Sequence, residues 1–479
     1  DVSHFDAHLL PVLCHGGSLN FAVMWTVYWC VCGMIQVVAQ PALRGSAVSQ
    51  GALEQALVFD AGSSGTRIHI FNMRMPPGGA HVPRIDLSVR DNQTWKVKPG
   101  LSHFAEHDDL RGCRENIERL VGFANNFVEE GRRKDTPVLL KATAGLRAVQ
   151  QEKAAAVLEE VRSTLRVSGY WFQDDWVDII KGKEEAGLAW IAANYLHGTF
   201  AFDKESLGII EMGGGSTQVS FELQPGEKDR IPVTDFYQFQ TALGKVYDLY
   251  AHSYLGFGQD YAQNKLKDLS DAGEDPCYPP GYSRVSRLGS SVQGIGKSDL
   301  CESNIHKMLF QDAGAPGHYE HELPVRGSLI ATENFFYVRE DLKLSHMEGV
   351  PPSQAEAAEV CGKDLSFTFE KACFSLSYQL AFLSAVNALN GGNEVQVKRK
   401  INGGDIDWAL GAALVHLLQT RQSSISWIKS PGLHLQWVLT MLTAVTLAAV
   451  ALILVRRKAP VVKTSQMNPT LFGAKNGLE

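Results

Sequence analysis

The sequence predicts an α/β protein built of two related lobes with a cleft between them. Three observations carry that reading. A glycine-rich turn bounded by β-type residues occurs twice: Asp60-Ala-Gly-Ser-Ser-Gly-Thr-Arg67 follows Leu57-Val-Phe59, and Glu211-Met-Gly-Gly-Gly-Ser-Thr-Gln218 follows Leu207-Gly-Ile-Ile210. Aligned without a gap, acid meets acid, Gly62 meets Gly213 and Thr66 meets Thr217. Short β-type runs then alternate with stretches of helical period, the pattern of layered α/β domains. The 479 residues, 45% apolar and 20% charged, suffice for two or three domains and a large core.

The elements follow in order. Residues 40–50 read as a linker. From Ala56 the pattern is strand, turn, strand. Leu110, Cys113, Ile117, Leu120, Val121, Ala124 and Val128 keep a helical period. Pro137-Val-Leu-Leu-Lys-Ala142 is a strand, Thr143-Ala-Gly145 a turn, and 146–165 a helix. A short strand ends at Ile179, and 184–195 is a helix. The second glycine turn opens a second β/α half. Residues 264–304, rich in Gly, Pro, Ser and charge, read as an excursion pinned by Cys277 and Cys301. Helices return over 353–360, 375–389 and 405–418. The domain reading is therefore 1–50 signal peptide or N-terminal anchor and linker, 51–178 first lobe (completed by 402–420), 179–401 second lobe, 421–436 stalk, 437–455 transmembrane helix and 456–479 cytosolic tail.

Residues 437–455 carry no charge and are followed by Arg456-Arg-Lys458. That length spans a bilayer, and the basic flank sets this end in the cytosol. Residues 19–39 are also uncharged. Read from Met24, an apolar core over 25–38 and small residues near Ala39 and Ala42 make a cleaved signal peptide; uncleaved, the stretch is an anchor. The cleaved reading is preferred, and either puts the body outside the cytosol. The eight cysteines agree. Cys14, Cys30 and Cys32 lie in or before the first apolar stretch and Cys113 stands alone. Cys277/Cys301 and Cys361/Cys373 form two local pairs without histidine neighbours, which reads as disulfides rather than zinc. Asn92-Gln-Thr94 is a glycosylation sequon. The net charge of −7 is mildly acidic, so nothing in the composition suggests a nucleic-acid binder.

A glycine-rich turn can aim backbone N–H groups and hydroxyls at a phosphate while its acid faces a metal. Two such turns face to face can hold a polyphosphate between lobes. Five blocks then occur in order: Asp60 to Arg67; Lys141-Ala-Thr-Ala-Gly-Leu-Arg147; Gly182-Lys-Glu-Glu-Ala-Gly-Leu-Ala-Trp190; Glu211 to Gln218; and Asp405-Ile-Asp-Trp-Ala-Leu-Gly411. Together they resemble the five apyrase conserved regions of the ectonucleoside triphosphate diphosphohydrolase (apyrase, nucleoside-diphosphatase) family. Lys98-Pro-Gly-Leu-Ser102 and His252-Ser-Tyr-Leu-Gly-Phe-Gly258 are most similar to the nucleoside-diphosphatase branch. The resemblance covers about residues 55–420.

The resemblance implies a two-lobed actin/hexokinase-like (ribonuclease H-like) fold with a central cleft. It implies hydrolysis of terminal phosphate from nucleoside di- and triphosphates with Ca²⁺ or Mg²⁺. Glu185 matches the family's catalytic glutamate, and Ser216 and Gln218 its water-positioning residues. Ser63, Ser64, Gly65 and Thr66, with Gly213, Gly214 and Gly215, would supply phosphate donors. Thr143, Ala144 and Gly145 would add helix N-terminal amides, and Arg147 either balances phosphate charge or pairs with an acid. Asp60 and Glu211 would hold the cation through water. Position 211 is Glu where the family usually has Asp, and Ala186 stands where Gly is usual. Phe336 and Tyr337 are candidates for stacking on the base. Trp408 and His252 are read as structural and Glu184 as a solvated charge. The branch places the catalytic domain in the Golgi or endoplasmic-reticulum lumen, membrane-anchored; the plasma membrane's extracellular face is the alternative. Competing readings are an exopolyphosphatase-type phosphatase and an inactive membrane-tethered nucleotide binder. Base preference and oligomeric state stay open.

Overall fold

The computed structural model describes residues 53–429, apart from 75–82, 87–92, 242–243, 270–272, 312–313, 320–322, 324, 345–348 and 391, together with Thr446. The apolar stretch 19–39, Cys14, Cys30, Cys32, Asn92 and, Thr446 excepted, the predicted span 437–455 lie outside the described residues. Among those described, no helix is long and apolar enough to cross a membrane. The chain divides into two compact units, 1–414 and 415–479.

The first unit holds two six-stranded sheets. Strands β1 (Leu53–Ala61), β2 (Thr66–Arg74), β3 (Arg84–Ile85), β4 (Thr94–Val97), β5 (Val138–Ala142) and β6 (Val177–Ile179) form one, in the order β3-β2-β1-β5-β6 with β4 also on β2. Strands β7 (Gly208–Met212), β8 (Ser216–Glu222), β9 (Phe236–Gln240), β10 (Val246–Leu255), β11 (Ser328–Glu333) and β12 (Glu394–Val397) form the other, in the order β12-β11-β7-β8-β10-β9. The repeat read in the sequence is a repeat in register. Asp60 lies opposite Arg67 and Ala61 opposite Thr66, as Glu211 lies opposite Gln218 and Met212 opposite Thr217. Each leading strand also takes a parallel neighbour, β5 in one half and β11 in the other.

Strand alternation decides which way the acids face. Leu57, Phe59 and Ala61 point into a core with α1 (Leu110–Ala124) and α2 (Gln151–Arg166), so Asp60 faces the opposite side. Ile210 and Met212 point into the second core, with Val219, Phe221, Tyr250 and Tyr254. Glu211, Gln218 and Ser253 therefore share the other face. Helix α3 (Gly182–His197) packs on that face. Helix α4 (Gln259–Leu269) leads into the excursion, a small sheet of strands 274–275, 283–285 and 291–294. Helix α5 (Ser298–Gln311) follows, and Cys277–Cys301 ties the two together. Cys361–Cys373 joins α7 (Gln354–Cys361) to α8 (Ala372–Ala385), both beyond α6 (Asn334–Asp341).

Several helix boundaries differ from the reading above, three of them by more than a residue or two for a physical reason. The helix expected at 146–165 is two pieces: a turn at Ala144–Arg147, then α2 from Gln151, separated by Gln150 in an extended conformation. The helix expected at 375–389 ends at Ala385, where Asn387 takes a positive φ of 56°. The last helix, α9 (Trp408–Lys429), starts later because Asp407 caps it, accepting from the Ala409 N–H at 2.8 Å. It also runs on, so the first nine residues of the stretch read as a stalk are helical.

Candidate active site

The two glycine turns face each other. A Cβ on Gly214 would sit 3.0 Å from Ser63 Oγ, and one on Gly215 2.9 Å from Ala144 Cβ. Side chains there would fill the gap, which explains the glycines. The Gly213, Gly214 and Gly215 carbonyls accept from the amides of Gln259, Asp260 and Gly256 at 2.9–3.0 Å. Planar trans peptides then turn the following N–H groups away from that segment.

Between the turns lies a cleft of about 190 Å³. Of the residues expected at the site, Asp60, Ser63, Ser64, Thr143, Ala144, Glu185, Glu211, Gly213, Gly214, Gly215, Ser216, Gln218 and Tyr337 all line it. Gly65, Thr66, Gly145, Arg147 and Phe336 do not. Thr66 is buried within β2. Gly65 fits against the Val97 carbonyl, and Gly145 against Ser63 Cα, so both shape the turn from behind. Phe336 packs on the second core. Arg147 sits under the wall, ion-paired with Glu185 and 3.4 Å from Ser216 Oγ.

Glu185 is buried in the first turn of α3. Burial pushes its carboxyl above the ordinary range, and Arg147 opposes that rise. Gln218 Nε2 donates to Ser216 Oγ at 2.6 Å. Base, hydroxyl and amide thus meet at one corner of the cleft, from α3 and β8. Ala186 is fully buried in the core rather than on the wall, so its methyl does not narrow the cleft.

The cleft is strongly acidic. Asp60, Glu185, Glu211, Asp260, Glu333 and Asp407 line it, against Arg67 and Lys96. Burial, then Asp407, pushes Asp60 up to about 8. Burial, then Glu333, holds Glu211 well above its usual value. Glu211 Oε2 is buried with no hydrogen-bond partner among the described residues. A buried carboxylate oxygen without a donor, amid like charges, is costly, and this all-oxygen donor set fits a hard divalent cation. Among the described residues no three His, Cys, Asp or Glu side chains are grouped to ligate an ion directly.

Residues 49–319 match the GDA1/CD39 (nucleoside phosphatase) family. The chain is 31% identical to probable apyrase 4 of Arabidopsis thaliana over 423 residues, 78% of this chain and 81% of the relative. It is 32% identical to ectonucleoside triphosphate diphosphohydrolase 5 of Bos taurus over 402 residues, 78% of this chain and 89% of the relative. The chain belongs to the GDA1/CD39 family. It is a nucleoside phosphate hydrolase. A crystal structure of nucleoside triphosphate hydrolases from Neospora caninum superposes with a TM-score of 0.57 at 16% identity, covering 83% of this chain and 97% of that one, which shows the shared two-lobed fold.

In this GDA1/CD39 chain several wall residues escaped the sequence reading. Lys96 donates to Ser64 Oγ at 2.8 Å and bears on the β1–β2 turn. Asp407 lies 3.8 Å from Arg67 and 3.2 Å from His69 Nε2. Glu333 ends β11 with φ of 60° and ψ of −119°, a strained backbone of the kind that gathers at functional sites. Asn334 beside it donates to the Met212 carbonyl at 2.9 Å. Trp408 is a correction: it packs α9 and lines the cleft as well. Glu184 stays half-exposed and off the cleft; its carboxylate accepts from the Lys181 N–H at 2.7 Å and caps α3. His252 is structural, 3.0 Å from Asp235 and packed against the Tyr319 ring at a tilt of 32°.

Proposed function

We propose that the chain removes the terminal phosphate of nucleoside di- and triphosphates, diphosphates such as UDP and GDP foremost, by direct attack of water. The observation that carries this is the corner where Glu185, Ser216 and Gln218 meet beneath two opposed glycine turns. Glu185 takes the proton of the attacking water, and Ser216 and Gln218 hold that water in line. Ser63, Ser64, Thr143, Ala144 and the amides following Gly213, Gly214 and Gly215 cradle the phosphoryl oxygens, whose charge spreads in the transition state. Gly65, Thr66 and Gly145 act behind them by shaping the turns. Arg147 positions Glu185 rather than contacting phosphate. Tyr337 borders the nucleoside end.

Asp60 and Glu211, with Asp407 and Glu333 near, would hold Ca²⁺ or Mg²⁺ through water; bound there, the ion neutralises charge on the phosphate chain. The catalytic unit lies in the Golgi or endoplasmic-reticulum lumen, anchored by 437–455. Its two disulfides support an oxidising compartment. The test is phosphate release by the full chain from ATP, ADP, UDP and GDP with each metal. Glu185→Gln should lose at least about a hundredfold in kcat, the scale for removing a general base. Near-full turnover by that variant would remove Glu185 from the mechanism.

A further inference from the structure

Ser253 belongs to no role assigned above, yet it touches two of the groups that have one. It stands on β10 directly opposite Gln218 of β8, which stands opposite Glu211 of β7. Gln218 is buried, and its Nε2 donates to Ser216 Oγ at 2.6 Å and to Ser253 Oγ at 2.9 Å. The Arg147 guanidinium donates to the same two hydroxyls, at 3.4 Å each. A terminal amide has two chemically different ends, and only its hydrogen-bond partners choose which way it faces. Here both N–H groups are taken by the two serines, which leaves Oε1 as the acceptor. The start of α3 is pressed against the same spot. A Cβ on Gly182 would overlap Ser253 Cβ and lie 2.8 Å from Arg147 Nη1. The bracket also spans the cleft floor, since Arg147 follows β5 of the first sheet and Ser253 belongs to the second.

We infer that Ser253 is a positioning residue for hydrolysis: its hydroxyl holds the second N–H of Gln218, so that Oε1 faces the attacking water. This rests on the reading that Gln218 orients that water. Without the Ser253 hydroxyl one buried N–H loses its acceptor. The amide is then free to turn and present N–H groups to the water, which must itself donate. The loss falls on the reacting arrangement rather than on nucleotide binding.

The test is a double-mutant cycle in the full chain, with UDP and Mg²⁺: wild type, Ser253→Ala, Gln218→Ala and the double variant. Ser253→Ala should lower kcat about tenfold, with KM within about twofold; the thermal midpoint should fall only slightly, because one buried N–H loses its acceptor while the packing against Gly182 stays intact. In the Gln218→Ala background the same change should cost less than about twofold. If its full cost persists there, or if Ser253→Ala leaves kcat unchanged, the inference is overturned. Should Ser253→Ala fail to fold, Ser253→Cys takes its place in the cycle; its weak acceptor predicts a smaller kcat loss, about threefold, that again vanishes in the Gln218→Ala background, and no loss, or a loss that persists there, overturns the inference. Full turnover by Gln218→Ala alone would instead overturn the role given to Gln218.

Discussion

Arg147 and Glu185 are ion-paired beneath the cleft, with side chains only 13% and 7% exposed. The pair links the end of β5 to the first turn of α3, and it sets the state of the base. A carboxylate accepts a proton only when ionised, so activity falls as pH drops through its pKa. Burial raises that pKa and Arg147 lowers it. Arg147→Gln leaves burial unopposed. The acid limb of the kcat/KM profile should move to higher pH by about one pH unit, the lower end of what a neighbouring opposite charge does. An acid limb that stays in place or moves down would show that Arg147 does not govern the base.

The acidic wall yields a prediction read without turnover. Glu211 is buried and Asp60 half-buried among carboxylates, and Asp60 is one of the charges that raise Glu211. Neutralising one relieves that repulsion and removes part of the cation's site. Glu211→Gln should raise the thermal midpoint in chelator yet shrink the further rise on adding Mg²⁺ or Ca²⁺. Saturating a site at about 100 times Kd is worth about 2.7 kcal/mol, a gain that differential scanning calorimetry resolves. An undiminished metal-dependent rise in the variant would place the cation elsewhere.

The cysteines test the compartment and the core together. Non-reducing peptide maps should link Cys277 to Cys301 and Cys361 to Cys373. Cys113 is fully buried on α1, and burial pushes its thiol up to about 12. The reactive thiolate is therefore scarce at pH 8. Iodoacetamide at that pH should leave Cys113 unmodified in the folded protein and label it fully in denaturant. Rapid labelling of the native protein would contradict its place in the first core.

Local signals made much of this architecture legible, and long-range pairing hid the rest. The duplicated turn could be read because each copy is contiguous: acid, glycines and threonine keep one spacing, and the register in the sheets repeats it. Lys96 could not be read, since it reaches the cleft only by lying opposite Arg67 across β2 and β4. Glu333 ends the apolar run Leu329-Ile-Ala-Thr, a strand whose end corresponds to Ala142 in the other half; reading that run as a third strand would have found it. Asp407 stood inside a quoted block, overshadowed by Trp408. The break after Arg147 carries no Gly or Pro, so nothing local announces that α2 starts only at Gln151.

Gly411 explains, in packing terms, why the fifth block matters to a base on a distant helix. A Cβ at this position would overlap the Leu188 carbonyl oxygen, so α9 and α3 touch backbone to backbone there. Leu188 lies one turn beyond Glu185 on α3, and Asp407 and Trp408 lie one turn before Gly411 on α9. Gly411→Val must push the two helices apart, which moves the base relative to the acids and to Trp408. Overpacking of this kind costs about 1–3 kcal/mol. Urea unfolding should show that loss, and kcat should fall more than stability alone requires, because the variant still folded at low urea holds its base out of line. A variant destabilised to that extent but with wild-type kcat would mean that the α3–α9 contact serves stability only.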